Sequence, residues 1–441
     1  VGIMAEGNQK LAPTTLVVFG ISGDLSRRYL LPALAAICRS SDIGANLEIW
    51  GLSRRSLEPG DVLNDTTRGL TDNFRVLQID YDSAAAYQQL KDELEKSPAQ
   101  QTIFYFAVPP AAVLPIIEKL GSAGLNDSTY RLLLEKPFGQ NYDSAKRLID
   151  QTKRYFKDEQ IYRIDHYLAK EMAQNIAVFL GSNAIFRGVW SNKFIERIKI
   201  EVSESIGVEG RGGFYEQTGA LRDIVQSHLL QLTALILMKP CPDVFDFSQV
   251  QIRRLAALKQ LSLMASQSTI RGQYDGYKDE VDNPESTTET FVALSVTSSD
   301  PDWQGVPIRL VTGKRLDKKL TEIRVHFKKS QATQANILKL RIQPQEGIEL
   351  ELWVKKPGYD QDLQKLSLEF SYQQHFGDLP DAYEQVIVDA IRGRSNLFAS
   401  DEEVLASWQV LQSVLDGFIK GKPELKAYPP GSSAEELAPR V

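Results

Sequence analysis

Four stretches hold side chains whose types and spacing could do chemistry. "LVVFGISGDLSRR" places Gly20, Ser22, Gly23, Asp24 and Leu25 directly after an apolar run. Glycines there allow a tight turn and close approach of backbone N–H groups to a pyrophosphate, with a helix N-terminus behind them. The spacing is Gly-x-x-Gly-x-x-Ser rather than Gly-x-Gly-x-x-Gly, so the pattern alone also fits an ordinary strand-turn-helix connection. "RLLLEKPFG" puts Lys136 at the end of an apolar strand, where a substrate hydroxyl or phosphate could be met. "IYRIDHYLAKE" groups Asp165, His166, Tyr167 and Lys170, a carboxylate, an imidazole, a phenol and an ammonium, which fit either a polar strand-to-helix junction or a binding and catalytic surface. "QSHLLQ" supplies His228, and an imidazole with a reference pKa of about 6.5 can accept a proton near neutrality. On spacing alone His228 reads as a core histidine, because Leu221, Ile224, Val225, Leu232 and Leu235 share its helical face.

The elements that must position these groups change style along the chain. "TTLVVFG", "NLEIWGL", "TIFYFAV" and "YRLLLEK" read as buried strands. "LLPALAAICR", "AAAYQQLKDELEK" and "AAVLPIIEKLGSAGL" read as the helices between them. That rhythm predicts a Rossmann-like, doubly wound parallel sheet over residues 1–165. Its second strand ends in "SRRS" rather than in Asp or Glu. A guanidinium at that address, Arg54, pairs with a 2′-phosphate that a carboxylate would repel, so the expected coenzyme is NADP rather than NAD.

From 166 to 441, period-two strands such as "FIERIKIEVSES", "TEIRVHFKK", "ILKLRIQP" and "GIELELWVKK" follow one another closely. They predict an α+β domain with a large, mainly antiparallel sheet, one wet face and flanking helices. His326 is expected on that wet face and His375 in a polar loop. The fold class is therefore α/β plus α+β, with the "RIDHYLAKE" stretch at the boundary, where ligand clefts form.

The bulk properties narrow the function. A chain of 441 residues exceeds one ordinary core, and a net charge of −6 argues against a nucleic-acid-binding surface spread over the molecule. Two cysteines, Cys38 and Cys241, make no disulfide framework and read as small buried hydrophobes in a reducing compartment. "VGIMAEGNQKLAPTT" shows no signal or lipidation pattern, and no apolar run is long enough for a membrane span, so the reading is cytoplasmic with no membrane partner. No metal site is expected.

Taken together, "GISGDLSRR", "FYFAVPP", "EKPFG", "IYRIDHYLAKEMAQN", "EGRGGFYEQTGALRD", "QSHLLQ", "GVPIRLVTGKRL" and "LPDAYE" resemble the glucose-6-phosphate dehydrogenase family, in the family's order and over nearly the whole chain. In "RIDHYLAKE", Ala169 stands where glycine is usual, which the backbone tolerates if φ is negative there.

The resemblance implies oxidation of D-glucose 6-phosphate at C1 to 6-phospho-D-glucono-1,5-lactone with hydride passing to NADP⁺, the first step of the oxidative pentose phosphate pathway. It implies His228 as proton acceptor and Asp165 as the carboxylate that orients it. His166, Tyr167 and Lys170 are implied as phosphate contacts, with the phosphate able to sit at a helix N-terminus. Glu204, Asp223, Lys314, Lys319 and Gln343 are implied as further substrate contacts. Lys136 is shared between sugar and coenzyme, and Pro109 joins Gly20, Ser22, Gly23, Asp24, Leu25 and Arg54 as coenzyme contacts. A homodimer or homotetramer is also implied.

Two departures stand out. The stretch after Arg55 is short for the family, so the second βαβ unit is trimmed. "KKPG" and Arg341 resemble part of a second, structural nucleotide site found in some relatives, but that site is not expected here. The alternatives are another NADP-dependent sugar dehydrogenase, which would not need the phosphate cluster, and a catalytically silent NADPH-binding protein.

Overall fold

The computed structural model describes residues 12–39, 41–241, 243, 246–264, 269–329 and 335–439. Most of the N-terminal stretch read above lies outside them. The chain forms two compact units. One runs to Gly139 and includes Asp143–Ala169 and Pro380–Asp401; the other holds Gln140–Tyr142, Lys170–Leu379 and the chain from Glu402 onward. The division falls between Ala169 and Lys170, inside "HYLAKE".

In the first unit the strands are β1 (Thr14–Phe19), β2 (Leu47–Ser53), β3 (Phe74–Gln78), β4 (Gln101–Phe106), β5 (Tyr130–Leu134), β6 (Ile161–Ile164) and the short β16 (Phe398–Ala399). Their order is β16-β6-β5-β4-β1-β2-β3, parallel throughout except for β16. Every residue of β1 and β4 is buried, as a strand covered on both faces requires. The order reverses between β1 and β4, the switch point of a doubly wound sheet. Between β2 and β3 the crossover holds one helical turn, Pro59–Val62, and a 3-10 segment, Arg68–Asn73.

Pro380–Asp401 differs from a single division at residue 165. Its helix Ala382–Arg392 buries Val386, Ile387 and Ala390 in the same core as Leu16, Val18, Ile103 and Tyr105. Side chains tie it down: Gln101 Nε2 donates to the carbonyl of Ile391 at 2.9 Å and Arg131 Nη1 to that of Ala390 at 2.8 Å.

The second unit contains β7 (Ile195–Ser203), β8 (Leu261–Leu263), β9 (Ile270–Tyr274), β10 (Phe291–Ser298), β11 (Ile308–Gly313), β12 (Leu320–Phe327), β13 (Ile337–Gln343), β14 (Gly347–Lys355), β15 (Leu363–Ser371) and β17 (Leu425–Tyr428). The sheet order is β15-β14-β13-β12-β7-β11-β10-β9-β17, with β8 beside β10. Most pairs are antiparallel, but β7–β11 and β9–β17 are parallel. Alternation marks the faces of these strands but not their order; β7 lies between β12 and β11 although a long helical excursion over 212–258 separates it from them in sequence.

The wet face also needs correction. His326 is only 9% exposed, and its Nδ1 lies 3.3 Å from Arg197. That face carries a lattice of ion pairs, Lys199–Glu201 at 2.7 Å, Arg324–Glu435 at 3.0 Å and Lys339–Glu351 at 2.7 Å, partly roofed by the turn Ala434–Leu437. Arg341 belongs to this lattice through Glu322 and Glu349. His375 sits in the short helix Tyr372–Phe376 with its ring 4.8 Å from Phe370, rather than in a loop.

Candidate active site

The coenzyme-type turn follows from the end of β1. Gly20 has φ +82°, and a Cβ there would lie 2.3 Å from the carbonyl oxygen of Ala107, so no larger residue fits. Gly23 N–H closes the turn onto the Gly20 carbonyl at 3.0 Å, and Ser26 Oγ donates to the same oxygen at 3.0 Å. Ser22, Gly23 and Leu25 are half-exposed and Asp24 is exposed, bonded to Arg28 at 2.7 Å. The next turn, Ser26–Leu30, is π-wound, a geometry often found at functional positions.

Because β1 and β2 are parallel with Phe19 opposite Leu52, the turn and Arg54 share one sheet edge. Arg54 is exposed, and its charge reaches the Tyr81 phenol, which accepts from Gly20 N at 2.9 Å. Pro109 is exposed just past β4, at the switch point, and Lys136 follows β5. The close backbone turn, the cradle a Cβ would fill and the guanidinium beside it fit a dinucleotide carrying a 2′-phosphate.

Beyond β5, the first unit holds a cluster that spacing does not reveal. Glu135 accepts a short hydrogen bond from the fully buried Tyr105 hydroxyl and lies 3.6 Å from His166 Nε2. The His166 ring is 4.3 Å from that of Tyr383, which in turn stacks on Tyr29 at 5.4 Å. Burial, with Glu135 adding to it, pushes the Tyr105 phenol well above its ordinary value, so it stays protonated as a donor. His166 Nε2 is buried with no hydrogen-bond partner among the described residues. Asp165 is 3% exposed, and its Oδ1 accepts from Tyr167 N at 2.9 Å, which tightens the turn after β6. Ala169 is buried and is not among the positive-φ residues, as the glycine-to-alanine departure requires.

In the second unit Lys170 precedes the helix Glu171–Ser182. Its first-turn amide, Met172 N–H, already donates to Glu346 at 2.6 Å. A phosphate at this helix end would meet that carboxylate beside Lys170. Burial raises the Glu346 carboxyl above its usual range, while the Met172 amide and Lys170 oppose the shift.

The remaining sugar-type residues gather at the carboxyl ends of β7 and β11. Ser203 lies opposite Gly313 in this parallel pair, so Glu204 and Lys314 emerge side by side and bond at 2.5 Å. Lys314 Nζ sits 5.1 Å from the Tyr215 ring centroid. Burial raises the Tyr215 phenol well above its usual value, and the charges of Asp223, Glu289 and Glu204 raise it further. Tyr215 is thus a buried ring that flanks the Glu204–Lys314 pair, a role nothing in "GGFYEQTG" announced.

Asp223 and the 3%-exposed His228 lie on one π-wound helix, Leu221–Leu229, with Leu221, Ile224, Val225, Leu232 and Leu235 all buried. Lys319 is exposed beyond Lys314, and Gln343 ends β13 opposite Thr321. A separate cavity of about 500 Å³, lined by Arg197, Lys199, Arg309 and His326, shares no lining residue with this cluster. Among the described residues no group of three or more His, Cys, Asp or Glu side chains could hold a metal ion, and no helix is long and apolar enough to cross a membrane.

A doubly wound unit with a dinucleotide turn, and a sheet unit presenting histidine, lysine and carboxylates, define a two-domain NAD(P)-dependent oxidoreductase. Residues 17–175 match the family described as glucose-6-phosphate dehydrogenase, NAD binding domain, and residues 177–440 its C-terminal domain. The glucose-6-phosphate 1-dehydrogenase of Chlamydia muridarum is 34% identical over 97% of this chain and 96% of its own length. That of Dictyostelium discoideum is 35% identical over 96% and 93%. A solved glucose-6-phosphate dehydrogenase in complex with its substrate superposes with a TM-score of 0.89 at 29% identity, covering 99% of this chain and 100% of that one. The chain belongs to the glucose-6-phosphate dehydrogenase family.

Proposed function

We propose that the chain oxidises D-glucose 6-phosphate at C1 to 6-phospho-D-glucono-1,5-lactone, using NADP⁺. The observation that carries this reading is the Glu204–Lys314 pair beside the Tyr215 ring, together with Asp223 and His228 on one helix of the same unit. Hydroxyl-rich ligands need such alternating acceptors and donors, and the carboxylates accept from sugar hydroxyls.

His228 takes the proton of the C1 hydroxyl, and Asp165 stabilises the imidazolium that results. Lys170, His166, Tyr167 and Lys319 hold the dianionic phosphate, Gln343 contributes a further polar contact, and Lys136 bridges sugar and coenzyme ends. Gly20, Ser22, Gly23, Asp24, Leu25 and Pro109 form the coenzyme turn, and Arg54 takes the 2′-phosphate. Bound NADP⁺ supplies the hydride acceptor. The buried stripe around His228 keeps its imidazole rigid and excludes water from the reacting hydroxyl. The first unit serves as the coenzyme domain and the second as the substrate domain.

Initial rates with glucose against its 6-phosphate, and NADP⁺ against NAD⁺, test the assignment. The 6-phosphate with NADP⁺ should exceed every other pairing in kcat/KM. Equal values for glucose and glucose 6-phosphate would contradict the phosphate cluster.

Arg54→Ala should weaken NADP⁺ binding by about tenfold or more, since charge-assisted hydrogen bonds contribute roughly 1.5–3 kcal/mol, and leave NAD⁺ nearly unchanged. Isothermal titration with both coenzymes measures this, and equal losses would refute the 2′-phosphate contact.

The chain self-associates through the second unit's sheet, forming a homodimer or homotetramer in the cytoplasm. Supporting this, the edge strand β15 leaves Leu366 and Leu368 exposed at 48% and 64% on one face.

A further inference from the structure

We infer that Glu289 is a positioning residue that fixes the start of the His228 helix, and that the dipeptide Glu289–Thr290 sets this helix against the Lys314 loop. The inference rests on the reading of His228 as proton acceptor and extends it to a residue that lies well outside the motifs.

The helix before His228 does not run through. It breaks at Gly219, where φ is 64° and ψ is 175°, and winding restarts at Leu221. A restarted helix exposes amides that lack partners in their own turn. Here the first two go to one residue: Ala220 N–H donates to the Glu289 carbonyl at 2.9 Å, and Leu221 N–H donates to Glu289 Oε1 at 3.0 Å.

Glu289 is only 4% exposed, and a buried carboxylate is costly unless hydrogen bonds and cations offset its desolvation. Burial pushes its carboxyl up, while the Leu221 amide, Arg222 and Arg271 act the other way. The break and the carboxylate are fitted to each other. A Cβ on Gly219 would lie 2.4 Å from Glu289 Oε1, and its positive φ also favours glycine.

The next residue faces the other wall. The Thr290 carbonyl accepts from Lys314 N–H at 3.0 Å, and Thr290 N–H donates to the Gly272 carbonyl at 2.8 Å. Thr290 Oγ1 is 2.9 Å from the Tyr428 hydroxyl, which donates to the Lys314 carbonyl at 2.7 Å. One dipeptide therefore anchors the segment bearing Asp223 and His228 on one side. On the other it anchors the loop whose Lys314 bonds Glu204. A small displacement of the helix start moves His228 and Asp223 together relative to Glu204 and Lys314. Misplacements on the ångström scale cost reaction rate out of proportion to binding.

Two conservative variants separate positioning from bulk stability. Glu289→Asp withdraws the acceptor by one methylene, whereas Glu289→Gln keeps an oxygen in reach of Leu221 N–H without the charge. We expect Glu289→Asp to lower kcat by about tenfold or more, with Tm and the NADP⁺ dissociation constant near the parent's. Glu289→Gln should recover most of that loss. Parental kcat in Glu289→Asp, or an equal loss in both variants, overturns the inference, as does a loss explained by a smaller folded fraction. Full turnover in His228→Asn would instead refute the base assignment, so the two failures are distinguishable.

Discussion

Replacing His228 by asparagine should abolish turnover while leaving both ligands bound. General-base catalysis by a positioned side chain contributes about 10²- to 10⁴-fold, and no other histidine in the second unit lies on the Asp223 helix to substitute for it. Asparagine is polar and somewhat smaller than the imidazole, so the buried stripe of Leu221, Val225 and Leu232 should close around it with little loss of stability. NADP⁺ and glucose 6-phosphate dissociation constants should stay within a few-fold of the parent's, because the residues assigned to bind them are untouched. A kcat within tenfold of the parent's would remove His228 from the reaction.

The second large effect is on stability. Arg254 and Glu403 form a two-pronged ion pair, Nε–Oε1 at 2.7 Å and Nη2–Oε2 at 3.2 Å, with both side chains 0% exposed. It joins the helices Phe247–Leu258 and Asp401–Ile419. Removing one partner of such a pair strands the other charge in a low-dielectric interior, a cost of about 3–5 kcal/mol. Glu403→Ala should therefore lower the free energy of unfolding by about that much in urea denaturation. The double replacement Arg254→Met with Glu403→Leu should be far less damaging, because the stranded charge is gone. A single variant costing under about 1 kcal/mol would place the pair's weight on its other contacts.

The first unit was legible because its strands are covered on both faces. Runs such as "LVVF" and "TIFYF" are continuous and apolar, and the glycine turn and Arg54 sit at strand ends that topology brings to one edge. The second unit was legible as a sheet but not as an order of strands. Alternation cannot show that β7 inserts between β11 and β12, and that insertion is what places Glu204 beside Lys314. Alternation places His326 on a polar face, but that face is roofed by ion pairs and by Ala434–Leu437, which lie over a hundred residues away in sequence.

The supporting residues were the least visible. Tyr105 meets Glu135 across two strands, Glu346 caps a helix that begins at Glu171, and Glu289 caps one that begins at Leu221. Each acts through a contact set by tertiary packing, and its local sequence gives no signal. The family motifs named the groups expected to touch ligands; the geometry adds the groups that hold them.

In the proposed reaction the hydrogen on C1 of glucose 6-phosphate leaves as hydride to the coenzyme while His228 takes the hydroxyl proton. Glucose 6-phosphate deuterated at C1 tests it most directly, with NADP⁺ and mass analysis of the products. One deuterium in NADPH per lactone formed is expected, with a slowed hydride-transfer step in single-turnover experiments. Deuterium appearing in solvent, with unlabelled NADPH or none, would contradict it.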